Sequence, residues 1–129
     1  MKDLVYIACP VGAATQARVE DNIVRAKRWY RWACDHFPEF AFAANWIVDV
    51  EVYAGSDAGS QRHDNPARQL GLDRDDAMIA HCQRFWVCSE RLSPGIKRGI
   101  ETATANAVPV YYFGTLEPPV QRTEPKGNA

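Results

Sequence analysis

Four short apolar runs recur along the chain, and a longer amphipathic or polar segment follows each of the first three. The runs cover residues 4–9, 40–45, 84–88 and 108–113. A short, nearly continuous apolar run is typical of a strand that is buried on both faces of a sheet. Pro10 and Gly12 follow the first run and favour a turn there. The pattern therefore predicts four buried strands.

The segments between these runs predict helices. Residues 18–37 carry apolar side chains at helical spacing, and Pro38 lies just beyond them. The apolar positions are Val19, Ile23, Ala26, Tyr30, Ala33 and Phe37. Further helices are predicted over residues 69–82 and 94–106. Residues 54–66 are rich in turn formers and predict a loop, whereas residues 46–53 fit either a helix or an irregular crossing.

Short apolar strands that alternate with helices predict a small doubly wound α/β domain, with a parallel sheet of four to five strands and helices on both faces. This single domain spans residues 1–113. Residues 114–129 are rich in Pro, Thr and charged residues, and they predict a flexible C-terminal tail or an arm that lies on a partner. Ligands of such folds bind outside the carboxyl ends of the strands. We therefore expect a site among residues 9–18, the segment from residue 44 onward, and residues 88–95.

The charge composition of the chain limits the classes of partner that we expect. The 129 residues include 15 Lys and Arg against 16 Asp and Glu, for a net charge of −1. This balance provides no field that would attract a nucleic-acid polymer or an acidic membrane. The first residues lack the apolar run of a signal peptide, and no stretch approaches a membrane span. We expect a cytoplasmic protein that binds neither nucleic-acid polymer nor membrane.

The four cysteines are Cys9, Cys34, Cys82 and Cys88, and they form no CxxC pair. No histidine lies at the spacing of a zinc site, so we expect neither a metal site nor a cofactor. Cysteines in apolar runs are commonly buried free thiols, and reduced structural thiols are the favoured interpretation. The alternative is a reactive Cys9 at the end of the first strand.

The sequence Ser93-Pro94-Gly95 is suited to opening a helix. A serine N-cap accepts a hydrogen bond from a helical amide, and proline fits the first helical position because its missing N–H is not needed there. The amides of Gly95, Ile96 and Lys97 are then expected to face the crevice and to bind a phosphate or carboxylate group. The alternative is an ordinary capped helix start.

Five segments occur in an order that resembles a known superfamily. They are VYIACP, TQARVEDNIVRA, DDAMIAHCQRFWV, SPGIKRGIETA and VPVYYF. Over residues 4–113 the chain resembles the nucleoside 2-deoxyribosyltransferase-like superfamily, especially its short bacterial and phage members. The resemblance implies a flavodoxin-like fold and chemistry in which a glutamate attacks the anomeric carbon of a nucleoside or nucleotide. It also implies a homo-oligomer whose subunits complete each other's sites, and the surplus aromatic residues Trp29, Tyr30 and Trp32 fit either a core or a subunit interface.

The resemblance breaks at the nucleophile. Ser93, Gly95, Glu101 and Ala103 fit the family pattern, but Gly99 stands where the family has its nucleophilic glutamate. Glu101 is the alternative catalytic carboxylate, although two residues along a helix rotate a side chain by about 200° and should turn it away. The substitution Gly99→Glu is expected to restore the geometry of the nucleophile.

Other site residues are expected at the strand ends. Asp75 matches a family aspartate that holds the sugar or positions the nucleophile; alternatively, Asp73, Asp75 and Asp76 form a solvated acidic helical turn. Trp46 follows the second strand, where it is placed either to stack on a nucleobase or to pack in the core. The first loop adds three candidate ligand-binding residues, Cys9, Pro10 and Gly12.

Three functions remain open. The first is a nucleoside- or nucleotide-binding protein that has lost its nucleophile, which Gly99 favours. The second is an active N-glycosidase or deoxyribosyltransferase that uses Asp75 and Glu101. The third is a protein-interaction scaffold. The first two require that the start of the helix after Ser93 opens into a pocket shared with the end of the first strand.

Overall fold

The computed structural model describes residues 1–44, 46–47 and 66–127. Strands and helices alternate along these residues, as the apolar pattern predicts. The elements are β1 Leu4–Ala8, α1 Gln16–His36, β2 Ala41–Ala43, α2 Pro66–Ala80, β3 Arg84–Val87, α3 Pro94–Ala105, β4 Val110–Tyr112 and β5 Lys126–Gly127. Of the predicted loop over residues 54–66, only Pro66 is described, and it begins α2 three residues before the predicted start of that helix. Most of the segment from residue 46 to 53 also lies outside the described residues.

The strands form one sheet in the order β2-β1-β3-β4-β5. The first four strands are parallel, and β5 is antiparallel to β4. The chain leaves β1 for β2 on one side and later returns to β3 on the other side. The carboxyl ends of β1 and β3 therefore flank the topological switch point, which is where ligands of doubly wound sheets bind. The predicted α/β fold is confirmed, as a small flavodoxin-like sheet of five strands.

The strands are apolar throughout because both faces of the sheet are covered. Successive side chains alternate between two buried clusters, as the period of a strand requires. Tyr6, Ala8, Phe85 and Val87 pack with Ile79, Ile96 and Ala103 from α2 and α3. Val5, Ile7, Trp86 and Cys88 pack with Trp29, Trp32 and Ala33 from α1. The helices thus lie on both faces, as predicted.

Local sequence features account for the residues at which several elements begin. Thr15 accepts a hydrogen bond from the backbone N–H of Arg18 at 3.3 Å, so α1 begins two residues before the predicted start. Helix α2 begins at Pro66, whose missing N–H is tolerated in a first helical turn. Strand β4 begins at Val110 instead of residue 108, since Ala107 has a positive φ of 58° and Pro109 lacks an N–H to donate.

Residues 114–127, which we call the C-terminal strap, lie on their own chain. The carbonyl oxygen of Leu116 accepts a hydrogen bond from the Trp29 indole at 3.0 Å. Glu117 pairs with Arg28 and, at 3.2 Å, with Arg25. The sequence predicts a flexible tail or an arm on a partner for these residues. In the structure, the strap is attached to its own chain by ion pairs and by the backbone pairing of β5, and not by buried apolar side chains.

Two of the surplus aromatic residues belong to the core. Trp29 is fully buried and Trp32 is 8% exposed. Both rings contact Phe113, with centroids 5.1 Å and 5.3 Å away. These residues therefore provide no argument for a subunit interface, and the homo-oligomer stays a prediction. Within the described residues, no helix combines the length and apolar character needed to cross a membrane.

Candidate functional site

A pocket of about 350 Å³ lies at the switch point between β1 and β3. Its walls come from the end of β1 and the loop after it, from Trp46, from α2, and from the start of α3. Seven of the ten residues proposed from the sequence line it. They are Cys9, Gly12, Trp46, Asp75, Ser93, Gly95 and Ile96. The start of α3 and the end of β1 thus share one pocket, as the nucleotide hypothesis requires.

The other three proposed residues do not line the pocket. Pro10 is buried in the first loop, behind the pocket wall. Lys97 and Glu101 are exposed on α3. The position of Glu101 agrees with helical geometry, because a step of two residues turns a side chain to the far side of the helix. Glu101 is therefore not placed to attack a ligand in this pocket.

The start of α3 offers fewer free amides than the sequence suggests. The Ser93 hydroxyl accepts a hydrogen bond from the backbone N–H of Ile96 at 3.3 Å. The Ser93 carbonyl oxygen accepts one from the backbone N–H of Lys97 at 2.9 Å. Two of the three amides expected to face the ligand are thus used within the helix cap. The remaining contribution to anion binding is the Gly95 amide and the positive end of the helix dipole.

Three acidic or basic side chains line the described part of the pocket, namely Asp75, Asp76 and Arg98. Arg98 donates to Asp76 from Nε at 3.1 Å and from Nη2 at 2.7 Å, and to Asp73 at 2.8 Å. The hydrogen bond with Asp76 raises the pKa of Arg98, and the one with Asp73 adds to it, while partial burial opposes both. The guanidinium is therefore already neutralised by the protein.

Asp75 differs from its two acidic neighbours. It is only 6% exposed, whereas the side chains of Asp73 and Asp76 are 67% and 30% exposed. Asp73 and Asp76 pair with Arg98, which joins α2 to α3. The alternative of one solvated acidic turn thus does not describe all three residues. Asp75 is the carboxylate that α2 buries at the pocket wall.

Aromatic rings form much of the apolar wall. Tyr6 and Phe85 stack with their ring centroids 5.4 Å apart and an interplanar angle of 6°. The Trp46 indole donates a hydrogen bond to the carbonyl oxygen of Ile7 at 2.7 Å. Because this bond fixes the indole against β1, the ring is held in one orientation beside the pocket. Planar rings of this kind can stack on a nucleobase.

Gly99 faces Phe85 across the pocket wall. A Cβ atom at position 99 would lie 2.7 Å from Phe85 Cζ and 2.9 Å from Phe85 Cε2. The Phe85 ring is fully buried and stacked on Tyr6, so a side chain at position 99 would require a shift of this packed ring. The expectation that Gly99→Glu alone restores a nucleophile stays a prediction, and the position of the ring opposes it.

Sequence reasoning missed Phe85 and Tyr6 as pocket residues. A signal for Phe85 was present: a glycine in a helix interior indicates a close approach by another group, and β3 carries two large aromatic residues in succession. Strand alternation sends Phe85 and Trp86 to opposite faces, so one of them had to meet α2 or α3.

Part of the chain matches a protein family. Residues 60–113 match a family model described as a domain of unknown function, DUF7768. No curated protein and no solved structure matches the chain. The matched segment includes α2, β3, α3 and β4, and thus Asp75, Phe85 and Gly99. The residues of the pocket therefore provide the basis for a functional proposal. Among the described residues, no group of three or more His, Cys, Asp or Glu side chains could hold a metal ion.

Proposed function

We propose that this protein binds a nucleoside or nucleotide in the switch-point pocket and does not cleave its N-glycosidic bond. The pocket volume of about 350 Å³ falls within the usual range for small-molecule sites, which is roughly 300–1,000 Å³. Its aromatic wall suits a planar base, and Asp75 provides an acceptor for sugar hydroxyls or base N–H groups. These features support the resemblance to nucleoside-processing proteins.

The contact between Gly99 and Phe85 supports the proposal that the bound ligand is not cleaved. In the superfamily that the chain resembles, the residue at this helical position attacks the sugar. Here the Phe85 ring occupies the space that any side chain at position 99 would need, since its Cζ atom would lie 2.7 Å from the Cβ. The wall that would supply a nucleophile is apolar instead. The pocket keeps its binding groups and lacks a carboxylate at that point.

Isothermal titration calorimetry tests this function. Wild-type protein is expected to bind at least one deoxynucleoside saturably, and Asp75→Asn to weaken that binding about tenfold or more, because hydrogen bonds to a charged group are worth about 1.5–3 kcal/mol. Asp21→Asn is the matched control, since Asp21 is exposed on α1 and does not line the pocket. Absence of saturable binding, or equal effects of the two variants, would contradict the proposal.

Chromatography of long incubations tests the absence of cleavage. Wild-type protein should release no free base from deoxynucleosides or their monophosphates. Base release that is lost in Asp75→Ala or Glu101→Ala would establish the active N-glycosidase instead. The double variant Phe85→Val with Gly99→Glu removes the blocking ring atoms, and slow base release by this variant would support the alignment of position 99 with the nucleophile.

A further inference from the structure

Two cysteines lie side by side at the switch point. Cys9 follows β1 and Cys88 follows β3, and the last register pair of these parallel strands is Ala8 with Val87. The ladder continues one step, because the backbone N–H of Cys88 donates to the carbonyl oxygen of Ala8 at 2.9 Å. Neighbouring strands are about 4.8 Å apart. This spacing lies within the Cα separation of roughly 4.4–6.8 Å that a disulfide bond spans.

The two thiols also share one face of the sheet. Cys88 belongs to the buried cluster beneath α1, together with Ile7. Cys9 follows the end of β1 and packs against that cluster and also against the cluster on the pocket side of the sheet. Alternation along β1 places Cys9 on the face of Ile7. The two cysteines are therefore neighbours on adjacent strands and share one buried cluster.

The environments of the two thiols differ. Cys88 is 1% exposed, and burial, with the neighbouring Cys9 thiol adding to it, raises the pKa of Cys88 well above its ordinary value. Cys9 is half-buried and lines the pocket, so a small molecule can reach it. An oxidant that enters the pocket thus meets Cys9 first, with Cys88 beside it on the neighbouring strand.

We propose that Cys9 and Cys88 form a peroxide-oxidised dithiol site, in which Cys9 reacts with a hydroperoxide and Cys88 closes a disulfide bond. The Cys9 sulfur attacks the peroxide, so that an S–O bond forms, the O–O bond breaks and an alcohol or water leaves with the thiol proton. The Cys88 sulfur then attacks the Cys9 sulfur, so that the S–S bond forms and the hydroxyl leaves as water with the Cys88 proton. Two thiols are oxidised by two electrons and one peroxide is reduced.

The bond would join the two loops that frame the pocket. Cys9 begins the loop that carries Gly12, and Cys88 begins the loop that leads to Ser93. The expected effect of the disulfide on ligand binding rests on the proposed function. The oxidised protein is expected to bind a deoxynucleoside more weakly, because Cys9 can no longer adjust to a bound molecule. Formation of the disulfide itself does not depend on that function.

Peptide mass spectrometry after treatment with hydrogen peroxide tests the site. A Cys34→Ser background removes the exposed thiol that would link two molecules. The Cys9 and Cys88 peptides are expected to appear as one linked species that dithiothreitol separates, and Cys9→Ser should abolish it. Cys82→Ser is the matched control, since Cys82 is buried elsewhere, with its pKa raised by burial to about 11, and should leave the link unchanged.

The opposing results are equally clear. Oxidation of Cys9 to a sulfinic acid while Cys88 stays a free thiol would overturn the proposal, and so would a link that involves Cys82. Calorimetry on the reduced and oxidised forms separates the two proposals. Saturable binding to reduced protein without a disulfide after peroxide would reject only the dithiol site, whereas a disulfide without any nucleoside binding would reject only the proposed function.

Discussion

The space beside Gly99 determines what the pocket wall can carry. The Phe85 ring approaches the helix so closely that a Cβ atom there would lie 2.7 Å from Cζ. The ring is held from behind by its stacking on Tyr6. A glycine in a helix interior costs about 1 kcal/mol relative to alanine, so the protein retains an unfavourable residue because the ring needs the space. The glycine at position 99 and the packing of Phe85 thus depend on each other.

Gly99→Ala is expected to lower the free energy of unfolding by about 1 kcal/mol. Overpacking costs about 1–3 kcal/mol, and the better helix propensity of alanine returns roughly 1 kcal/mol of this. In a Phe85→Leu background the clashing ring atoms are absent, so the same substitution should become neutral or stabilising. Urea denaturation of the four proteins measures this cycle. Equal effects in both backgrounds would show that the ring is not the cause.

Helices α2 and α3 are joined by Arg98, which lines the pocket. Arg98 on α3 binds Asp76 through two nitrogens and Asp73 through one, and Asp76 also accepts from the Thr102 hydroxyl at 2.9 Å. Its side chain is 27% exposed, so water screens these contacts only in part. The planar guanidinium matches this arrangement of acceptors, which a single ammonium group cannot reproduce. The geometry of the pocket between the two helices therefore depends on Arg98.

Arg98→Lys is expected to lower the free energy of unfolding by about 1–2 kcal/mol, because several charge-assisted hydrogen bonds are lost. Arg31→Lys serves as the control. Arg31 pairs with Asp35 on the surface of α1 at 3.7 Å, with its side chain 87% exposed, and pairs of this kind contribute almost nothing. Comparable losses in the two variants, measured by urea denaturation, would mean that Arg98 is merely a surface residue.

The C-terminal strap also contacts the residues that follow α1. Arg122 pairs with Glu39 at 2.6 Å, and its guanidinium lies 4.0 Å from the centroid of the Phe37 ring. The hydrogen bond from Arg122 is the main reason that the pKa of Glu39 falls below its ordinary value. The contribution of this pair to stability is present above the pKa of Glu39 in the unfolded chain. It is lost as the pH falls through the lower pKa of the folded chain.

Arg122→Gln should raise the pKa of Glu39 towards its ordinary value. The titration of the Glu39 side chain by nuclear magnetic resonance measures the change. Arg91→Gln provides the control, because Arg91 is exposed in the loop before α3, and it should leave the titration of Glu39 where it is. A titration of Glu39 that is the same with and without Arg122 would show that the strap does not hold this carboxylate.

The sequence predicts the fold well and the site in part, for physical reasons. Apolar runs and helical spacing report burial, which is local in sequence, so the strands, the helices and the pocket position follow from them. The contact of Phe85 with Gly99 depends on the distance between β3 and α3, and the apolar pattern does not contain that distance. The ion pairs of Glu117 and Arg122 join residues far apart in the chain, and the sequence pattern does not reveal such pairs. The low apolar content of the strap therefore predicted a tail.

The short strand β5 has a consequence for association between molecules. It pairs with β4 through Tyr111 and Tyr112, and thereby covers the backbone groups along that side of the sheet. Exposed sheet edges are templates on which another chain can add a strand. Among the described strands, β2, with three residues, remains as the other boundary of the sheet. Among the described edge strands, Ala41–Ala43 is therefore a longer template for the addition of a strand than the two residues of β5.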